Sequence, residues 1–172
     1  MEMRSPIKTM PQALTPVIAD DEYYMRLALK EAACAAAAGE VPIGAVVVNA
    51  DGVIATGHNR RELDQDPSAH AELLALRSAA QKLGRWRLAD CSVYVTLEPC
   101  PMCAGLMQQA RIKRCVYATA DPKAGALGTL YQLHDDQRLN HHFQVSTGVL
   151  ADESRALLRD FFAQLRTEKT AL

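Results

Sequence analysis

No run of apolar residues in this chain is long enough to cross a membrane. The longest, Val41 to Val48, falls far short of the roughly 20 residues that a spanning helix needs. No secretory signal opens the chain either: residues 1–20 carry Pro6, Pro11 and Pro16 and no continuous apolar core. There is no basic excess. The net charge of −1 argues against wrapping long nucleic acid electrostatically, while leaving room for a local basic patch. The five cysteines are an odd number, which does not suit a full set of disulfides. In a reducing cytoplasm, the compartment expected here, paired cysteines read as metal-binding or catalytic. There is no internal repeat and no low-complexity linker beyond the proline-containing start. What is present is a chain of 172 residues, 49% hydrophobic and 23% charged, with the size and composition of one globular domain. We expect a flexible leader over 1–19, a single domain over 20–167 and a tail over 168–172. Met3 and Met10 offer alternative starts.

The local patterns alternate between helix and strand. Asp20 or Asp21 can cap a helix that runs to about Ala38 and stops at Gly39, with Tyr24, Leu27, Ala28, Glu31, Ala35 and Ala38 near one face. Ile43 to Asn49 is a β-branched run. Ala50-Asp51-Gly52 is a turn signal, and Val53 to Thr56 is the return strand. Gly57 to Pro67 reads as a polar loop. Ser68 can cap a helix over Ala69 to Leu83, ended by Gly84. Cys91 to Leu97 and Cys115 to Thr119 read as strands, with a short helix over Met102 to Arg111 between them and Pro101 in its first turn. Phe143 to Thr147 is a fifth strand, and Ala151 to Leu165 is a final helix with Leu157, Leu158, Phe161 and Leu165 on one face. This order implies a three-layer α/β domain around a mixed sheet.

Two short segments carry chemistry. His70-Ala71-Glu72 offers an imidazole and a carboxylate, and Pro99-Cys100-Pro101-Met102-Cys103 offers two thiols. Any one of these alone reads as a core residue, because cysteine is often buried. Together they make a set of three soft or borderline ligands that suits Zn²⁺ and leaves a coordination position open for water. Cys100 and Cys103 stand at a helix start, where free N–H groups favour thiolates, and their i, i+3 spacing puts both sulfurs on one face. His70 and Glu72 are two apart and share no helix face. They converge only if the metal lies beyond the helix ends. Glu72 is then the general base that takes a water proton and later protonates a leaving amine. Glu98 is the rival carboxylate, and reads better as a residue fixing the corner before Pro99. Cys34, Cys91 and Cys115 read as packing residues. His58 reads as solvated, and His134, His141 and His142 as spare ligands or solvated loop residues.

The His-x-Glu and Pro-Cys-x-x-Cys pairing is the general signature of the zinc nucleobase deaminases. From about Asp21 to Arg166 the chain resembles the tRNA-specific adenosine deaminases, which convert adenosine to inosine at the wobble position. Glu40 to Val46, Gly57-His58-Asn59-Arg60, Asp66 to Glu72, Thr96 to Gly105, Asp121 to Gly128, Leu139 to His141 and Gly148 to Glu153 carry the resemblance. Leu127, Ala124 and Thr129 depart from it. It implies a cytidine-deaminase-like α/β/α fold with a five-stranded mixed sheet, and one Zn²⁺ per subunit held by His70, Cys100 and Cys103. It also implies Glu72 as the catalytic residue, Asn59 contacting the target base, Asp121 and Lys123 beside the flipped-out nucleotide, a tRNA anticodon stem-loop as substrate, and a homodimer.

RNA contact has a thinner basis in the residues themselves. Arg85, Arg87, Lys123, Arg155, Arg159, Arg166 and Lys169 can line a basic rim or be solvated charges. Phe161 and Phe162 read as core or dimer contacts by periodicity, and the resemblance places that helix end near the anticodon loop. Two other functions stay open: a deaminase of free guanine or cytosine or their nucleosides, and a structural zinc module that binds RNA and needs a fourth protein ligand.

Overall fold

The computed structural model describes residues 18–170, with side chains through Glu168. The expected leader therefore lies almost wholly outside the described residues, as do Lys169 as a side chain and the end of the tail. Helix α1 spans Asp21–Ala37, followed by the hairpin β1 (Gly44–Asn49) and β2 (Gly52–His58). A one-turn helix, α2 (Arg61–Asp64), leads to α3 (Ala71–Leu83), β3 (Ser92–Leu97), α4 (Pro101–Ala110) and β4 (Arg114–Thr119). A 3-10 turn at Leu133–Asp135 precedes β5 (Gln144–Thr147) and α5 (Ala151–Thr170). The sheet order is β2-β1-β3-β4-β5. β1 is antiparallel to both its neighbours, while β3, β4 and β5 run parallel, so the sheet is mixed as expected.

The strand pattern explains the layers. Successive side chains of a strand point to opposite faces. Val46, Val48, Tyr94, Val116 and Ala118 face one way, into a cluster with Met25 and Ala28 of α1 and with Val149. Ala45, Val47, Val93, Val95, Cys115 and Tyr117 face the other way, against alanines of α3 and against Ala104 and Met107 of α4. The result is α/β/α, with α1 and α5 on one face and α3 and α4 on the other. Gly44 lets α1 lie close to β1, because a Cβ there would collide with the Ala28 carbonyl oxygen and come within 2.5 Å of the Ala32 nitrogen.

Four local expectations change. The 57–67 segment is only partly loop: β2 runs through His58, and α2 interrupts the rest. Ser68 does not cap α3. Its hydroxyl bonds Asp66 Oδ1 at 2.7 Å, and His70, extended at φ −80° and ψ 148°, is the capping position. The buried face of α1 is Asp21, Met25, Ala28, Ala32 and Ala35. Of the expected face, Ala28 and Ala35 are buried and Tyr24 and Leu27 pack half-buried against the same cluster, while Glu31 is half-buried and Ala38 exposed. α5 also continues past Leu165 to Thr170.

The acid on that face, Asp21, carries a charged group into the core. Asp21 is fully buried. Arg114 Nη1 and Nη2 donate to its two oxygens at 2.7 and 2.8 Å, Tyr94 Oη donates at 2.9 Å and the Ile18 N–H at 2.8 Å. Arg114 Nη2 also donates to Ser146 Oγ at 2.7 Å. The group therefore ties the start of α1 to β3, β4 and β5. Burial opposes the charged form of Asp21, and the hydrogen bonds from Arg114, Ile18 and Tyr94 outweigh it, so its pKa lies below the ordinary value. This contribution to stability is fully present above the unfolded carboxylate pKa of about 3.9. It is lost as the pH falls through the lower folded value. Leaving one partner of a buried pair uncompensated costs about 3–5 kcal/mol. Asp21→Asn should lower the unfolding free energy at neutral pH by that order and flatten the acid limb of stability. Urea titrations across pH check both, and superimposable curves would dismiss the pair as a stabilising element.

Candidate active site

The parallel strands set the position of the site. β3 and β4 end side by side, Leu97 opposite Thr119, and the chain turns from β3 through Glu98-Pro99 directly into α4. Cys100 caps α4 in extended conformation, φ −73° and ψ 171°, with Pro101 and Cys103 in the first turn. Proline at the first helical position donates no N–H and presets φ, so the turn into α4 is sharp. His70 caps α3 in the same way. The two helix N-termini meet end-on, as the i, i+2 spacing of His70 and Glu72 requires.

The meeting is close. His70 Nδ1 lies 3.7 Å from Cys100 Sγ and 3.7 Å from Cys103 Sγ, and the three ligand atoms lie within 4.8 Å of one another. A tetrahedral zinc ion with bonds of about 2.3 Å to sulfur and 2.0–2.1 Å to nitrogen spaces such atoms about 3.6 Å apart. One imidazole and two thiols at that spacing suit zinc. Cys103 and Glu72 are buried, while His70 and Cys100 are half-buried, so the cluster opens on the His70–Cys100 side.

The electrostatics separate the two thiols. Hydrogen bonding from Cys103 draws the Cys100 thiol down to about 4, and the same pairing with Cys100, together with burial, holds Cys103 above its ordinary value. The contact with Cys100 raises the His70 pKa. Burial pushes the Glu72 carboxyl up to about 7, against its own backbone N–H and the nearby imidazole, and its side chain lies within hydrogen-bonding reach of Cys103.

Asn59 stands beside the cluster. It follows β2, its N–H donates to Ile43 O at 3.1 Å, and the next N–H, of Arg60, donates to Ala69 O at 3.0 Å, one residue before His70. Its side chain is buried, and Nδ2 donates to Glu40 Oε2 at 3.4 Å. A carboxylate only accepts, so Glu40 fixes the amide with its carbonyl oxygen turned away. The other Glu40 oxygen accepts the Leu63 N–H at 2.8 Å, starting α2. Sequence reasoning did not single out Glu40. An acid directly before an apolar run was the available signal.

Asp121 and Lys123 lie on the loop after β4. Asp121 Oδ1 accepts the Lys123 and Ala124 N–H groups at 2.9 and 3.2 Å, and Lys123 is exposed. The Ala126 N–H donates to Pro99 O at 2.9 Å, which holds this loop beside Cys100. The structure does not bring Phe161, Phe162 or Arg166 into the cluster. α5 touches the strand ends through Ser154, whose hydroxyl donates to Thr96 O at 2.6 Å. At about 1.5 Å per residue, Phe161 and Arg166 are roughly 10 and 18 Å further along the axis. Phe161 and Phe162 meet edge to face at 5.5 Å, and Phe162 is 42% exposed.

The other histidines join no metal group among the described residues. His58 is not simply solvated, because Nδ1 pairs with Glu31 at 2.8 Å. His134 is buried, and His141 and His142 bond the carbonyls of Ile112 and Asp136. Cys91 and Cys115 are buried as packing residues, whereas Cys34 is exposed.

The model of the MafB19-like deaminase family matches residues 19–166. The tRNA-specific adenosine deaminase of Bacillus subtilis (strain 168) is 48% identical over 151 residues, covering 88% of this chain and 94% of the relative. The chain belongs to the tRNA-specific adenosine deaminase family. Among solved structures, one from a study of A-to-I editing by tRNA:A34 deaminases at the wobble position superposes with a TM-score of 0.76 and 42% identity. It covers 79% of this chain and 99% of its own. The guanine deaminase of Nitrosomonas europaea has a TM-score of 0.73 but 28% identity, covering 86% of this chain and 87% of its own. The fold is thus shared by tRNA-acting and guanine-acting deaminases.

Removing one donor leaves two, which is too few for a tight zinc site. Cys103→Ala should lower bound metal per chain by more than roughly tenfold, since even outer-sphere changes cost 10–100-fold. Elemental analysis after dialysis checks this, and full retention would place the metal elsewhere.

Proposed function

We propose that the chain hydrolyses the C6 amine of adenosine at the wobble position of a tRNA anticodon loop, giving inosine and ammonia. The observation that carries the reading is the open three-donor cluster with a buried Glu72 beside it, in a chain whose similarity to a tRNA-acting relative, 48% identity, runs over 88% of its length. His70 Nδ1 and the sulfurs of Cys100 and Cys103 would hold one zinc ion per subunit. Bound zinc supplies a water whose pKa is lowered to roughly 7.

Glu72 handles the protons. A carboxyl raised to about 7 by burial can both take and give a proton near neutral pH. It accepts one from the attacking water and passes it to a ring nitrogen of the base, then takes the second from the newly attached hydroxyl and delivers it to the departing amine. Adenosine and water become inosine and ammonia, with no net change at Glu72. Asn59, held by Glu40, presents its carbonyl oxygen as an acceptor for a donor on the target nucleoside. Asp121 and Lys123 contact the nucleotide beside it. An unpaired loop base costs little to extrude. The exposed Phe162 can stack on a base, worth about 1–3 kcal/mol, with Phe161 supporting it and Arg166 reaching a phosphate.

We further propose one deaminase domain over 20–167, acting in the cytoplasm as a homodimer. An apolar groove of about 320 Å³ between α3 and α4, lined by Leu73, Leu76, Trp86, Leu88 and Leu106, supports the pairing surface. Among the described residues no helix is long and apolar enough to cross a membrane. A structural zinc module would need a fourth protein donor, and the metal group found contains three.

Glu72→Ala should keep its metal and lose deamination by at least about 10²–10⁴-fold. Sequencing of tRNA anticodons after incubation checks this, and undiminished editing would remove Glu72 from its role. In parallel, purified protein offered tRNA and free guanine separately should release ammonia from tRNA. Ammonia from guanine and none from tRNA would establish the second reading instead.

A further inference from the structure

Glu98 is the one carboxylate beside the cluster that this mechanism leaves without work. It is 2% exposed and stands two residues before Cys100. Its oxygens are fully used. Oε1 accepts the N–H groups of Leu127 and Thr129, each at 3.0 Å. Oε2 accepts the Asp121 N–H at 3.0 Å and the hydroxyl of Thr129. An ionised carboxylate has about four acceptor sites, so one side chain collects donors from both ends of the 121–129 loop. The loop is shaped around it. A Cβ on Gly125 would collide with the carboxylate and come within 2.7 Å of Asp121 O. Only glycine lets the backbone pass that close.

We propose that Glu98 is a positioning residue for substrate binding, keeping the loop that carries Asp121 and Lys123 in fixed register with the Cys100 end of α4. The inference rests on the RNA-directed reading given above. Its own β3–α4 corner is held separately, by the Glu98 N–H bond to Thr119 O at 2.8 Å and by Pro99. The side chain is therefore free to serve the neighbouring loop. Its effect is on where the RNA-facing groups stand, and the metal donors keep their places without it.

The replacement Glu98→Gln keeps the shape. However, it offers one oxygen and an NH2 group that only donates, so about two of the four bonds are lost. The test measures kcat and KM with an anticodon stem-loop RNA, metal content, and hydrogen exchange of the Asp121, Leu127 and Thr129 amides. We expect KM to rise roughly tenfold or more, kcat to fall less than about threefold, metal content to hold, and those three amides to exchange faster. Thr129→Val removes one donor and should move KM the same way by less, and it carries the test if Glu98→Gln does not fold. A kcat that falls with metal content at constant KM would make Glu98 a merely structural corner residue and overturn the proposal. So would unchanged KM with unchanged exchange. Should the wild-type protein leave the RNA unmodified, the activity reading falls by itself, and exchange alone then decides whether Glu98 holds the loop.

Discussion

His70 Nδ1 sits 3.7 Å from each of two cysteine sulfurs, and the rest of the fold is arranged so that this meeting can occur. The donors are borne by two helix N-termini, separated in sequence by a helix and a strand. They meet because β3 hands directly into α4 at the C-terminal edge of the parallel strands, while α3 begins against the hairpin end. The same edge gathers the Asn59 and Asp121 loops. Parallel sheets place their functional loops at this edge, since each strand there must launch a connection. The antiparallel hairpin β1–β2 adds a second wall, and without it Asn59 would have no route to the cluster.

Buried acids do most of the organising. Asp21, Glu40, Glu72 and Glu98 are all nearly or fully hidden, yet each is satisfied differently and so acts differently. Asp21 meets a guanidinium and welds α1 to the sheet. Glu40 takes one side-chain amide and one backbone N–H. Glu98 takes three backbone N–H groups and a hydroxyl. Glu72 has its own backbone N–H and Cys103 within reach, and burial outweighs them and raises its pKa to about 7. A carboxylate with a full complement of donors is a scaffold, whereas one left short of them is available for proton transfer.

The fold was largely legible. Alternating strands, glycine stops and the turn at Ala50-Asp51-Gly52 correspond to elements in the structure to within a residue or two. The misses have two causes. Ser68 looks like a helix cap by type, but its hydroxyl is drawn to Asp66 and the metal donor takes the cap position. Asp21 looks like a surface cap, but its partner Arg114 lies 93 residues away in sequence. His58 looks solvated until Glu31 of α1 is packed beside it. For Asp21 and His58 the deciding partner is remote in the chain, and local pattern carries no information about it, whereas for Ser68 it is Asp66, two residues away, competing for the same hydroxyl.

The sequence by itself determined the donors, their type and their spacing. An imidazole two residues from a carboxylate and a Cys-x-x-Cys before a helix already require that any metal they share sit end-on, because i, i+2 residues share no helix face. The sequence already favoured Glu72 over Glu98 for proton transfer, and tertiary structure alone supplied the physical difference between them. Glu72 and Glu98 are the same residue type, each two positions from a metal donor. Only folding surrounds one with N–H groups and leaves the other in a place where its charge is costly.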